Sequence, residues 1–224
     1  MKIHEIYLQT SKSDELKAFY SRIIGLETNK DAQGNIVIAT EKTRIVFETA
    51  EKEDPFYHFA FNIPSNKINE AYNWLKQRVE LLWLTDYKSY IADFSNWNAK
   101  SVYFIDPAGN IVELIARFDL HDNETADFSA NQIRNVSEVG LVLPEATYEN
   151  DIAAILSSYE LSYFIKQPPL EKFRAIGDDE GLFICVPEDR AWYPPGDRIA
   201  SLYPMKIIFE PRNKKYTYRS LYSE

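Results

Sequence analysis

The sequence has little of what marks several common protein classes. Cys185 is the only cysteine among 224 residues, so no disulfide can form within the chain. It lies in the apolar run of residues 182–186, which predicts a small buried side chain rather than a nucleophile. Lys and Arg number 25 against 34 Asp and Glu, the formal net charge is −9, and no basic stripe occurs. Nucleic-acid binding is therefore not expected.

Long apolar runs are also missing. No stretch approaches the ~18 residues that a membrane-spanning helix needs, and residues 1–5 do not begin an apolar signal segment. We therefore expect no membrane association and a cytoplasmic location. Apolar residues make up 45% and charged residues 26% of the chain, which predicts a folded globular protein.

What the sequence does contain is a recurring order of extended and helical segments. Residues 3–9 are rich in β-branched and aromatic side chains, and residues 14–24 carry apolar side chains at helical spacing before Gly25. Three short extended runs follow, at 27–29, 36–40 and 44–49. This order predicts a βαβββ unit.

The same order recurs after about 55 residues, which indicates an internal repeat. A strand over 57–63 precedes a helix that begins near residue 66, and further strands are predicted at 82–84, 101–105 and 111–116. Residues 118–134 are polar and predict a linker. A third unit and a lone strand follow.

The predicted fold is α+β, with two full βαβββ modules, a third module and a truncated fourth. We predict paired modules in residues 1–120, a third module with the lone strand in 132–211, and a tail in 212–224.

Strand alternation predicts which side chains share a face of the sheet. Glu5 lies with Tyr7 and Gln9 on one face of the first strand, and His58 and Glu113 lie on the less apolar faces of two later strands. We therefore expect Glu5, His58 and Glu113 to converge on one concave surface.

Two motifs resemble the vicinal oxygen chelate superfamily, which includes glyoxalase I, methylmalonyl-CoA epimerase, fosfomycin-resistance transferases and extradiol dioxygenases. Residues 104–113 are similar to its F-x-D-P-x-G-x-x-x-E pattern. Residues 19–25 resemble its F-Y-x-x-x-L-G helix end, with Ile24 in place of the usual Leu. The resemblance implies a glyoxalase/bleomycin resistance/dioxygenase-like fold.

The resemblance also implies a metal site. Glu5 takes the position usually held by His or Gln, His58 and Glu113 match two further ligand positions, and Glu48 matches a fourth. The implied cofactor is a divalent ion such as Mn, Fe, Co, Ni or Zn. Glu138 takes the corresponding position in the third unit, but no second ligand follows it at a matching position. We therefore expect no metal in that half.

The predicted partner is a small oxygen-bearing substrate. Tyr7, Gln9 and Tyr103 are expected to face it, together with Trp97 from an aromatic stretch over residues 83–97. That stretch could form a lid, a packed edge or a dimer contact. The cavity could be completed within one chain or in a homodimer, and the sequence leaves both open.

Three functions stay open at this point. The leading hypothesis is a metal-dependent enzyme with glyoxalase- or isomerase-like proton transfer, in which Glu48 or Glu5 serves as the catalytic base. If Glu48 does not bind metal, three ligands with open positions would suit an extradiol dioxygenase-like reaction. The third hypothesis is a protein of the bleomycin-resistance type that binds a ligand without metal or turnover.

Overall fold

The computed structural model describes residues 1–50 and 54–220 and has an α+β architecture. In this part of the chain, thirteen strands form two sheets and three α-helices pack against them. Among the described residues, no helix combines the length and the apolar character that crossing a bilayer requires.

The first two units each have the order strand, helix and three strands. The first contains β1 (Lys2–Thr10), α1 (Ser13–Ala18), β2 (Glu27–Lys30), β3 (Ile36–Ala39) and β4 (Arg44–Thr49). The second contains β5 (His58–Ile63), α2 (Ile68–Lys76), β6 (Ala92–Phe94), β7 (Ala99–Ile105) and β8 (Ile111–Arg117). A π-helical turn, Phe19–Ile24, continues α1 and ends at Gly25, whose φ of +82° is the left-handed conformation expected there.

The remaining elements form an incomplete third unit and a hairpin. They are β9 (Asn135–Leu143), α3 (Tyr148–Ser158), β10 (Arg174–Asp178), β11 (Gly181–Pro187), β12 (Lys206–Glu210) and β13 (Tyr216–Arg219). Residues 212–220 were predicted to belong to an irregular tail, but β13 lies there and pairs with β12. The last four residues of that predicted tail, 221–224, lie outside the described residues.

The sheets join units that are distant in sequence. Sheet A has the strand order β13-β12-β1-β4-β3-β2, and sheet B has the order β10-β11-β9-β5-β8-β7-β6. The first unit therefore pairs with the final hairpin, and the second unit pairs with the third. This differs from the expectation that the first two units share one concave surface.

One apolar core connects the two sheets. Ile6 and Leu8 of sheet A, Phe59 and Phe61 of sheet B, and residues from all three helices belong to the same buried cluster. Cys185 also lies in it, fully buried, and burial raises the pKa of its thiol. The prediction that this cysteine is buried is confirmed.

One predicted strand is wrong. Residues 82–84 do not form a strand of sheet B, and only isolated bridges occur at Leu81 and Leu84. The edge strand is instead β6, which pairs with β7. Leu84 is buried in the same apolar cluster as Ala92. The apolar run at 82–84 therefore reflects a loop that packs on the core, and a short strand would have the same sequence pattern.

Candidate metal centre and cavity

Three neighbouring strands of sheet B bring one imidazole and two carboxylates together. Ala60 of β5 pairs with Glu113 of β8 on one side and with Glu138 of β9 on the other. His58 lies two residues before Ala60 and therefore on the same face. One ligand atom from each of His58, Glu113 and Glu138 lies within 4.8 Å of the other two. The small side chain of Ala60 leaves the space between the two carboxylates open.

The His58 ring is fixed in one tautomer. Its Nδ1 atom lies 3.1 Å from the carbonyl oxygen of Ile111, which can only accept, so Nδ1 carries the proton. Burial lowers the pKa of His58 to about 4, so the ring is neutral at pH 7. The 3.8 Å approach of Nε2 to Glu113 Oε2 is therefore not an ion pair. The Nε2 lone pair is free to bind a metal ion.

The two carboxylates are unusual because both are almost fully buried. Burial and then the charge of Glu138 raise the pKa of Glu113 to about 8, although the hydroxyls of Ser101 and Tyr103 act in the opposite direction. Burial also raises the pKa of Glu138, against the opposing effect of Arg117. Without a cation between them, one proton is expected to remain on this pair at neutral pH.

A buried arginine supports Glu138 from behind. Arg117 is 1% exposed, its guanidinium contacts the Glu138 carboxylate directly, and a second nitrogen lies 3.4 Å from Asp179. Lys166 continues the network with a 2.7 Å contact to Asp179 and a 2.6 Å contact to Asp119. Glu138 thus has a countercharge in direct contact, whereas Arg117 acts on Glu113 only from a distance and the close neighbours of Glu113 are uncharged.

A cavity of about 330 Å³ opens above the three groups. This volume lies at the lower end of the ~300–1,000 Å³ typical of small-molecule sites. Nearly half of the residues that line it are aromatic, namely Phe94, Trp97, Tyr103, Phe173, Trp192 and Tyr193.

Trp192 covers His58, and a glycine makes room for it. The two rings lie 5.4 Å apart, and a Cβ atom on Gly140 would approach Trp192 to 2.6 Å. Real Cβ contacts of that length essentially do not occur, so any other residue at position 140 would displace the indole. Gly140 in β9 therefore determines where the Trp192 ring lies in the cavity wall.

The predicted ligands fall into two groups. His58 and Glu113 lie together, but Glu5 and Glu48 lie in sheet A, on the paired strands β1 and β4. Among the described residues, no group of three metal-binding side chains includes either of them. Glu5 instead accepts a 2.6 Å hydrogen bond from the Tyr7 hydroxyl and lies 3.8 Å from Arg44.

The predicted substrate residues divide in the same way. Tyr103 and Trp97 line the cavity. Tyr7 lies in sheet A beneath the Lys206 ammonium group, 3.1 Å from its ring centroid, and Gln9 pairs with Glu48 across β1 and β4. The aromatic stretch over 83–97 contributes Phe94 and Trp97 to the wall, while Trp83 is 53% exposed.

Sequence reasoning missed the position of Glu138 beside His58 and Glu113. The sequence led us to expect no metal in the third unit, and in the structure Glu138 of that unit lies with His58 and Glu113 of the second unit. The available signal was an isolated acid at the centre of the apolar strand 136–143, since a buried carboxylate requires a partner. The segment 188–204, which supplies Trp192 and Tyr193, had no pattern that linked it to the cavity.

Comparisons with solved structures identify the fold. A protein from Bacillus subtilis that is provisionally named a dioxygenase matches 98% of this chain over 84% of its own length, with a TM-score of 0.58 and 14% identity. Glyoxalase I from Zea mays matches 83% of this chain over 66% of its own length, with a TM-score of 0.54 and 14% identity.

The chain has the vicinal oxygen chelate fold. The resemblance seen in residues 104–113 is thereby confirmed at the level of the fold. No family model matches the sequence, and no curated protein sequence matches it. At 14% identity the two structures establish the vicinal oxygen chelate fold alone, so any activity has to be argued from the site.

The three side chains fit a divalent metal ion chemically. A neutral imidazole and two carboxylates are a common donor set for Zn, Mn, Fe or Co, whose ligand bonds of about 2.0–2.2 Å place ligands no more than about 4.4 Å apart. The three ligand atoms lie within 4.8 Å of one another, which is close to this separation. The buried acids also lack a full countercharge, which a cation would supply.

Proposed function

We propose that this chain is a metal-dependent enzyme that acts on a small substrate with two oxygen atoms able to bind the ion. His58, Glu113 and Glu138 would hold the metal, and the cavity above them would hold the substrate. The observation that carries the proposal is the convergence of these three buried side chains at the floor of a cavity. A bound divalent ion would polarise the substrate oxygens and stabilise negative charge on them.

Proton transfer is the reaction class that this donor set supports best. Oxygen-activating iron sites typically combine two imidazoles with one carboxylate, whereas this cluster has one imidazole and two carboxylates. Glu5 and Glu48 lie in the other sheet, so the base proposed from the sequence is replaced by a carboxylate at the cavity floor. Tyr103 lies beside Glu113 and would orient it, while Trp192 and Trp97 exclude water from the substrate.

One observation favours a second function, metal-free ligand binding. Arg117 already supplies a positive charge to Glu138, and a protonated Glu113 needs no counterion. In that case the two acids would form part of a polar floor for the ligand. Such a protein would resemble the sequestering members of the superfamily.

Metal content separates the two functions. The protein would be stripped with a chelator and titrated with Mn²⁺, Fe²⁺, Co²⁺, Ni²⁺ and Zn²⁺, and the bound metal would be measured by mass spectrometry. We expect about one equivalent for the wild type and a loss of stoichiometric binding for His58→Ala. His121→Ala is the matched control, because His121 is exposed and outside the cluster. Equal uptake by His58→Ala and the wild type would reject the enzyme proposal.

A further inference from the structure

Arg190 is a charged residue in the cavity wall, and no acid among the described residues pairs with it. Arg190 is half-buried in the wall, with its guanidinium 5.6 Å from the centre of the Phe173 ring. Among the described residues, no carboxylate lies within 4.0 Å of it, whereas Arg117, Arg134 and Arg174 each have one. Burial lowers the pKa of Arg190, because the surrounding side chains exclude water from the guanidinium and provide no negative charge in its place.

An unpaired guanidinium in such a position is suited to bind an anion. Withdrawing a charge from water costs free energy unless a partner of opposite charge compensates. The chain has an excess of nine negative charges, yet none of its described acids is placed to serve Arg190. A guanidinium presents paired donors that match a carboxylate, and a ligand carboxylate would supply the missing charge.

The rest of the wall indicates what the anion is attached to. Phe173 and Trp97 offer apolar ring faces on the side of the cavity that contains Arg190. The Tyr193 hydroxyl is buried and has no hydrogen-bond partner among the described residues. A planar ring would fill the space between these side chains, and a polar substituent on it would satisfy Tyr193.

We infer that the cavity takes a small aromatic carboxylate, with its carboxylate on Arg190 and its ring against the aromatic wall. The oxygen substituents of the ring would then face His58, Glu113 and Glu138. The inference deepens the proposed function and rests on it only for this last contact. The carboxylate contact depends on Arg190 alone and does not require a metal ion.

The test compares two probes of nearly the same shape, one with an anionic carboxylate and one with a neutral amide in its place. Binding of 3,4-dihydroxybenzoate and of its neutral isostere 3,4-dihydroxybenzamide would be measured by calorimetry and by quenching of tryptophan fluorescence, since Trp97 and Trp192 line the cavity. Each titration would use the chelator-stripped and the Zn²⁺-loaded protein. We expect the wild type to bind the acid about 10- to 100-fold more tightly than the amide, as for a charge-assisted hydrogen-bonded pair.

Variants of Arg190 test whether this residue causes the preference for the acid over the amide. Arg190→Gln should bind the acid and the amide equally, and Arg190→Lys should keep a reduced preference because it retains the charge without the paired donors. Arg198→Gln is the matched control, because Arg198 lies in the same segment, stacks on Phe56 and is outside the cavity. It should behave as the wild type does.

Three outcomes would overturn the inference: equal binding of both probes to the wild type, an unchanged preference in Arg190→Gln, or no binding of either probe. A lost metal site with an intact preference at Arg190 would reject the proposed enzyme and leave the carboxylate site standing. Metal uptake that depends on His58, without any preference for the acid, would support the proposed enzyme and reject the carboxylate site at Arg190.

Discussion

Sheet A and sheet B place carboxylates at matching positions of their strands but give them different surroundings. In sheet A, the side chain of Glu5 is 25% exposed and accepts a hydrogen bond from Tyr7. In sheet B, Glu113 and Glu138 are 2% and 3% exposed and share one cluster with His58. Residue type and strand position therefore do not decide which acids come together. The pairing of the units decides it, because it brings Glu138 next to His58 and Glu113.

Two turns show the same effect on a smaller scale. Residues 31–35 and 106–110 both have the pattern D-x-x-G-N, and both aspartates accept hydrogen bonds from two backbone amides and the following Asn side chain. At the partly exposed Asp31, desolvation acts to raise the pKa, but these contacts together outweigh it and lower the pKa. Asp106 is buried and also accepts a 2.9 Å hydrogen bond from Tyr20, yet burial raises its pKa to about 6. Desolvation therefore outweighs identical local hydrogen bonds.

The largest expected effect is the loss of the buried ion pair in sheet B. Arg117→Met should lower the free energy of unfolding by about 3–5 kcal/mol, because it leaves Glu138 buried without a countercharge. Arg44→Met, which breaks the half-exposed contact with Glu5 in sheet A, should cost less than about 1 kcal/mol. Urea denaturation of both variants measures the difference. Similar losses in the two sheets would contradict the comparison.

The aspartates of the two turns should respond to pH differently. The pKa of Asp106 is raised, so the unfolded chain loses this proton first and stability falls as the pH rises from about 4 to about 6. The shift corresponds to roughly 3 kcal/mol. Asp106→Asn should remove this contribution from the stability profile and leave the contributions of Glu113 and His58 in the same pH range.

Asp31→Asn is the control for that profile. The pKa of Asp31 is lowered, so its contribution is gained as the pH rises and is complete above the usual value of 3.8. This variant should therefore show the wild-type slope between pH 4 and pH 6. A wild-type slope in Asp106→Asn would mean that burial does not control this carboxyl.

Metal affinity should separate the acids of the two sheets. Glu113→Gln should weaken binding of the preferred ion by about 100-fold, or ~2.7 kcal/mol, because it removes a charged ligand from the cluster. Glu5→Gln and Glu48→Gln should leave affinity within a factor of about two, since neither residue contacts the cluster. A loss of metal affinity in the sheet A variants would instead support the ligand set expected from the sequence, which includes Glu5 and Glu48.

A smaller effect is expected where the cavity wall is shaped by a glycine. Gly140→Ala should displace Trp192 from His58, shift tryptophan fluorescence and lower stability by about 1–2 kcal/mol through overpacking. Gly34→Ala lies in a sheet A hairpin and has no atom within 4 Å of the added methyl group, so any loss of stability comes from the backbone φ of +88° and not from packing. Its fluorescence should stay unchanged. A wild-type spectrum for Gly140→Ala would show that Trp192 does not depend on this glycine.

Much of the fold could be predicted from the sequence, because its signals are local. Strand periodicity in 3–9 and 57–63, the helix end at Gly25 and the turn at 106–110 all act within a few residues. These features were sufficient to predict the α+β fold and to predict that His58 and Glu113 face inward.

The pairing of the units could not be predicted in the same way. Similar βαβββ units can in principle pair in several combinations, and the choice depends on contacts such as β5 with β9 and β1 with β12. Those contacts join residues about 80 and 200 positions apart, and no local pattern records them. Because the second unit pairs with the third, Glu138 lies beside His58 where Glu5 was expected. A prediction that pairs the first two units therefore places Glu5 and Glu48 wrongly.

Anomalous X-ray scattering from a crystal of the metal-loaded protein tests the central claim most directly. We predict one strong peak within about 2.0–2.3 Å of His58 Nε2 and of carboxylate oxygens from Glu113 and Glu138. A peak at Glu5 and Glu48 in sheet A, with none beside His58, would contradict the account.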